Sequence, residues 1–105
     1  MDFEVSWSPE AIEDLENIAE YISRSSEYYA SAVVSEMLSV ARNIGEFPLI
    51  GRTLPELSDK NLRERFVHSY RLIYRIESKQ NILIVAVIHG KRLLENIPER
   101  FNESE

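Results

Sequence analysis

Apolar residues recur at two different spacings along this chain. Phe3, Val5 and Trp7 alternate with Asp2, Glu4 and Ser6, the period-two pattern of a strand with one buried face. The spacing then becomes helical. Ile12, Leu15, Ala19 and Ile22 form an apolar stripe widened by Ile18, and Glu13, Asp14, Glu16 and Glu20 take the water side. Ser8 is placed to cap this helix, with Pro9 at its first position and Glu10 at the favourable end of the dipole. Ser25 and Ser26 interrupt the pattern. Ser26 caps a second helix whose stripe is Ala30, Val33, Val34, Met37, Leu38, Ala41 and Ile44. Gly45 reads as a left-handed stop, and Pro48 blocks continuation. The link between the helices is so short that they must form an antiparallel hairpin.

Residues 47–61 carry Pro48, Gly51 and Pro55 and read as the longest irregular stretch. Three strand-like segments follow. Leu62–His68 is polar, with Arg63 and Arg65 on one face. From Tyr70 the chain alternates again, Tyr70, Leu72, Tyr74 and Ile76 against Arg71, Ile73 and Arg75. Ile82–Ile88 is apolar throughout, as expected of a central strand covered on both faces. The expected product is an α+β fold. An N-terminal strand and a two-helix hairpin pack on a small curved antiparallel sheet, with arginines on one side of the sheet and aromatics on the other. Lys91–Glu95 reads as a short C-terminal helical turn ended by Pro98, and the last residues as a polar tail.

A chain of 105 residues is expected to form a single domain over 1–105 and to bury about two-thirds of its unfolded surface. It has no cysteine, which excludes disulfides, thiolate metal sites and cysteine nucleophiles. No basic start is followed by an apolar run, and the longest apolar stretch is far short of a membrane span. A cytoplasmic protein without a membrane partner is therefore expected. The net charge of −6 is unevenly spread: −8 over residues 1–41 and +5 over residues 52–92. An acidic helical half repels nucleic acid, whereas a basic sheet half suits an anionic or acidic visitor.

Candidate chemistry is confined to arginine and histidine. There is no P-loop, dinucleotide fingerprint, zinc motif or serine elbow, and no cofactor or metal is implied. Arg63 and Arg65 lie about 7 Å apart on one strand face. Arg71 and Arg75 share a face of the next, and His89 and Arg92 follow the third. Arginine forks bind phosphate bidentately, and histidine moves protons near neutral pH. Such a set is able in principle to cleave RNA without metal, His89 acting as acid or base. The alternative is that these arginines pair with Glu64 and Glu77 of the sheet, or with a partner's carboxylates.

The ordered set P-x-x-G-R at 48–52, P-E-L at 55–57, YRLIYR at 70–75 and H-G-K-R at 89–92, with SPEAIEDLENIAEYI at 8–22, resembles the RelE/ParE toxins of type II toxin–antitoxin systems, the ParE branch in particular. The similarity spans Phe3 to Leu94. It implies a growth-arresting toxin neutralised by a cognate antitoxin, alone as a homodimer or with the antitoxin in a heterotetramer. ParE-like members imply DNA gyrase as target, and RelE-like members imply mRNA cleavage on the ribosome. A third expectation is an inactive homologue that retains only antitoxin binding. By this resemblance Arg71 matches a catalytic arginine of some nucleases, and Glu56 and His89 lie near positions used by others. The tail after Arg92 has no tyrosine and the chain is acidic, which favours gyrase binding over cleavage. Arg63, Arg65, Arg71, Arg75 and Arg92 are then candidates for the target or antitoxin surface, and the Leu62–His68 edge is a candidate to accept an antitoxin strand.

Overall fold

The structure, a computed structural model, describes residues 2–91. Arg92, most of the proposed C-terminal turn and the tail lie outside the described residues. Strand β1 (Glu4–Trp7) leads into helices α1 (Pro9–Ser23) and α2 (Glu27–Glu46). They are followed by β2 (Arg52–Thr53), β3 (Leu62–Val67), β4 (Tyr70–Ile76) and β5 (Asn81–His89). The sheet order is β1-β5-β4-β3-β2. The sheet is mixed rather than wholly antiparallel, because β1 pairs parallel with β5, Val5 beside Ile82 and Trp7 beside Ile84. The long connection between them, the α1–α2 hairpin followed by β2, β3 and β4, allows this.

Both helix starts follow from their serines. Ser8 Oγ accepts from the Ala11 N–H at 3.0 Å and Ser26 Oγ from the Tyr29 N–H at 3.0 Å, each satisfying an amide that the helix leaves open. The α-hairpin covers one face of the sheet. Ala11, Ile22, Ala30, Val33, Met37 and Ile44 meet Val67, Leu72, Tyr74, Ile82, Ile84 and Val87 there. Of the residues expected in the stripes, Ile12 at 44% and Leu38 at 42% exposure are open to solvent instead.

Asp14, expected in water, turns inward and its Oδ2 accepts the Val87 N–H at 3.0 Å. The reason lies in β1, whose pairing with β5 ends near Ile84, so the amide beyond it takes a side-chain acceptor.

Gly45 is not a left-handed stop. Helix α2 continues through it to Glu46. What Gly45 allows is close approach: a Cβ there would sit 3.1 Å from Phe3 O and 3.1 Å from Val5 Cγ2. The Phe3 N–H donates to Gly45 O at 2.9 Å.

The far face is also covered. Leu54 of the 47–61 loop packs on Leu62, Ile73, Val85, Ala86 and Ile88. A bulge in β5 against Ile73 and Tyr74 sets Val85 into this second cluster. The chain therefore brackets its sheet between the helices and the loop.

Candidate functional site

The β3–β4 register distributes the arginines. Directly opposed residues share a face, and the pairs are Arg63 with Tyr74, Arg65 with Leu72, Glu64 with Ile73 and Phe66 with Arg71. Arg63 and Arg65 thus lie on the helix side, and Arg71 and Arg75 on the loop side. The expected separation of arginines from aromatics does not hold, because Arg63 and Arg65 share a face with Tyr74, and Phe66 stands beside Arg71. One common arginine surface does not form.

Arg71 is not displayed outward either. Its side chain is 5% exposed. Nε donates to Glu64 Oε1 at 2.5 Å, and the two terminal nitrogens fork onto Glu56, Nη1 to Oε2 at 2.9 Å and Nη2 to Oε1 at 3.0 Å. Glu64, wholly buried, also accepts from Arg52 Nε at 2.6 Å. The Arg52 guanidinium lies over the Phe66 ring, 5.5 Å from its centre. Of the arginines named from the sequence, Arg71 pairs with Glu64, whereas Arg63 and Arg65 bond to other partners. Hydrogen bonding from Arg71 holds the Glu56 carboxyl below its ordinary range. Glu56 first, and then Glu64, raise Arg71 in return, against the opposing effect of burial.

The remaining candidates have structural partners. Arg63 donates through Nη1 to Gly51 O at 2.8 Å and through Nε to Lys60 O at 3.1 Å. Arg65 Nη1 donates to Asn43 Oδ1 of α2 at 3.0 Å. Arg75 is buried on the loop side, opposite Leu62. The Arg63 contacts, together with Tyr74, fasten the loop. The Tyr74 hydroxyl donates to Pro48 O at 2.6 Å and accepts from the Gly51 N–H at 3.0 Å, and burial raises its pKa.

His89 does not join Arg71. It pairs across the ladder with Tyr70, whereas Arg71 pairs with Ile88, so the two candidate catalytic side chains leave opposite faces of the sheet. The His89 ring stands edge-on to Tyr70 at 5.8 Å, and its Nδ1 accepts the Lys91 N–H at 3.2 Å. Among the described residues no group of three or more His, Cys, Asp or Glu side chains is placed to hold a metal. No helix there is long and apolar enough to cross a membrane.

Sequence reasoning missed an aromatic cluster at this end of the molecule. His68, in the β3–β4 turn, sets its ring edge-on to Tyr29 at 5.8 Å and its Nε2 3.1 Å from Glu36 Oε1. Burial raises the Tyr70 phenol, with nearby Tyr21 and Tyr29 adding to the shift. The signal in the sequence was the pair Tyr28 and Tyr29 in the first turn of a helix, where no apolar stripe calls for either.

The family model of the ParE toxin of type II toxin–antitoxin system, parDE, matches residues 5–94. No curated protein matches the chain. Among solved structures, the chromosomal ParDE toxin–antitoxin system of P. aeruginosa aligns with a TM-score of 0.69 at 15% identity, over 85% of this chain and 97% of that one. The RelBE2 toxin–antitoxin complex of Mycobacterium tuberculosis aligns at 0.62 and 20% identity, over 85% and 99%. The E. coli toxin RelE in its free state aligns at 0.62 and 18% identity, over 87% and 86%. At these identities the structures speak for the fold: two helices packed on a five-stranded sheet.

Proposed function

The chain belongs to the ParE toxins of type II toxin–antitoxin systems, and from that premise we propose that it arrests growth in the cytoplasm by binding DNA gyrase, without cutting RNA. The observation that carries this reading is the placement of Arg71. A nuclease of the kind considered from the sequence needs a guanidinium open to a phosphate and a histidine within reach of the same atoms. Here Arg71 is saturated by two carboxylates and His89 leaves the other face of the sheet. A phosphate would have to displace Glu56 and then sit beside Glu64, at a net electrostatic cost. The acidic helices oppose RNA in the same sense.

The toxin is neutralised by a cognate antitoxin, in keeping with the ParDE system and the RelBE2 complex that share its fold. The edge strand suggested from the sequence is only partly open, since β2 covers Arg63 and Glu64 of β3. Among the described residues, the stretch Arg65–Val67 continues beyond β2 and is the part of that edge open to an added strand.

The experiment is a titration of the purified protein into gyrase, relaxed plasmid and ATP. Supercoiling falls with toxin concentration and returns when the antitoxin is added in equal amount. Supercoiling that stays at its full rate overturns the reading.

A further inference from the structure

We propose that the apolar loop tip at residues 47–50 of one copy of this chain docks in the acid-flanked groove between α1 and α2 of a second copy. The inference stands apart from the gyrase reading, since both halves of the contact belong to this chain and its test contains no target.

Directly after α2, Phe47, Leu49 and Ile50 are 57%, 68% and 47% exposed. Single exposed apolar residues are ordinary, but three large ones within four positions make a patch. Much of the backbone beneath them is satisfied from inside. The Phe47 N–H donates to Asn43 O at 3.0 Å, and the Ile50 N–H to Phe47 O at 3.0 Å. Pro48 has no N–H, and its carbonyl accepts from the Tyr74 hydroxyl. Arg63 Nη1 reaches Leu49 O at 3.4 Å and Gly51 O at 2.8 Å. Taking water away from such a tip strands few polar groups, and its fixed shape lowers the ordering cost of docking.

A receiving surface exists on the same chain. Helices α1 and α2 leave an open groove of about 710 Å³, apolar along Ala19, Ala30, Val34 and Leu38 and flanked by Glu20 and Glu27. That volume is in the range of clefts that bury a small ligand, and so has room for side chains of this size. The groove follows residues 27–38 of α2, and the tip begins at residue 47. At 1.5 Å per residue the tip stands roughly 25 Å from the middle of the groove. The two surfaces therefore do not meet within one molecule, only between two.

Charge matches the one surface to the other. Arg63 and Arg65 stand behind the tip, and the oxygens they bond are neutral: Leu49 O, Gly51 O and Lys60 O for Arg63, and Asn43 Oδ1 for Arg65. Asn43 is also the residue whose carbonyl takes the Phe47 N–H. These bonds leave both positive charges uncancelled. Exposed Arg42 and Lys60 add to them, against Glu46 and Asp59. At the groove, Glu20 and Glu27 enter no ion pair among the described residues. An apolar tip with open cations and an apolar groove with open carboxylates are complements. The spread of charge along the chain, −8 over residues 1–41 and +5 over residues 52–92, acts in the same sense.

Sedimentation velocity on the full chain tests this. The average mass rises with protein concentration and falls with added salt. Leu49→Glu at the tip and Ser31→Arg in the groove, both at exposed positions, each weaken association about tenfold or more while circular dichroism is unchanged. Mixing the two variants restores a one-to-one complex, because the first keeps an intact groove and the second an intact tip. A wild type that stays monomeric overturns the proposal, and magnetic-resonance contacts from Leu49 to residues 92–105 would then give the tip to the chain's own end. Association of Ser31→Arg at the wild-type level overturns it as well, since the contact would then run from tip to tip. So does a mixture of the two variants, each folded, whose members stay apart.

Discussion

Arg71 reaches diagonally across the β3–β4 ladder to Glu64, Nε to Oε1 at 2.5 Å, and both side chains are withdrawn from solvent. Removing one partner leaves a buried charge uncompensated, so Arg71→Ala is expected to destabilise the protein by about 3–5 kcal/mol. Replacing both, as Arg71→Met with Glu64→Leu, should cost far less than the sum of the two single changes. Urea denaturation of the two single variants and the double variant measures the coupling. Additive losses would show that the two charges do not act on each other.

Glu56 contributes a pH dependence of definite sign. Arg71 holds its carboxyl below the ordinary value of 4.5. A depressed carboxyl adds stability that is fully present above its unfolded value and is lost as pH falls through the folded one. The stability difference between wild type and Glu56→Gln should therefore be about 0.5–1 kcal/mol at neutral pH, modest because Glu56 is partly exposed. It should shrink as pH drops below about 4.5. Chemical denaturation across that range checks the direction.

The loop anchor at Tyr74 should be sensitive to single atoms. Tyr74→Phe removes the donor to Pro48 O and the acceptor for the Gly51 N–H. It is expected to cost about 1–3 kcal/mol. Gly51→Ala should cost at least as much, because the added Cβ would fall 2.7 Å from Glu64 O and 2.7 Å from the Tyr74 hydroxyl. Thermal melts rank the two, and hydrogen exchange should show faster opening in residues 47–61 for both.

Asp14 supplies the acceptor that the Val87 N–H needs beyond the end of β1. Asp14→Ala is expected to cost about 1–3 kcal/mol, and Asp14→Asn, which keeps a carbonyl oxygen there, to recover part of it. Amide exchange at Val87 reports the change directly.

Much of this architecture is readable from spacing. Alternation at 3–7 and 70–76 and the apolar run 82–88 locate three strands, and Ser8 and Ser26 mark both helix starts, because these signals are local. What stays hidden depends on contacts distant in sequence. Gly45 looks like a helix terminator until Phe3 and Val5 are seen against it. Asp14 looks solvated until β1 is seen to stop short of Val87.

The candidate site was legible only in part. Period two places Arg71 opposite the tyrosines of its own strand, as observed. It cannot reveal that the 47–61 loop folds back to lay Leu54 and Glu56 over that face, and this return turns an expected binding surface into an internal ion network.

The central claim is that this toxin acts by binding gyrase and leaves RNA whole. One coupled transcription–translation extract carrying a relaxed plasmid and gyrase tests it, with plasmid topology and reporter mRNA length read from the same tube. The account predicts a plasmid that stays relaxed and a full-length message. A cut message on a normally supercoiled plasmid, with cutting abolished by Arg71→Lys, would contradict it.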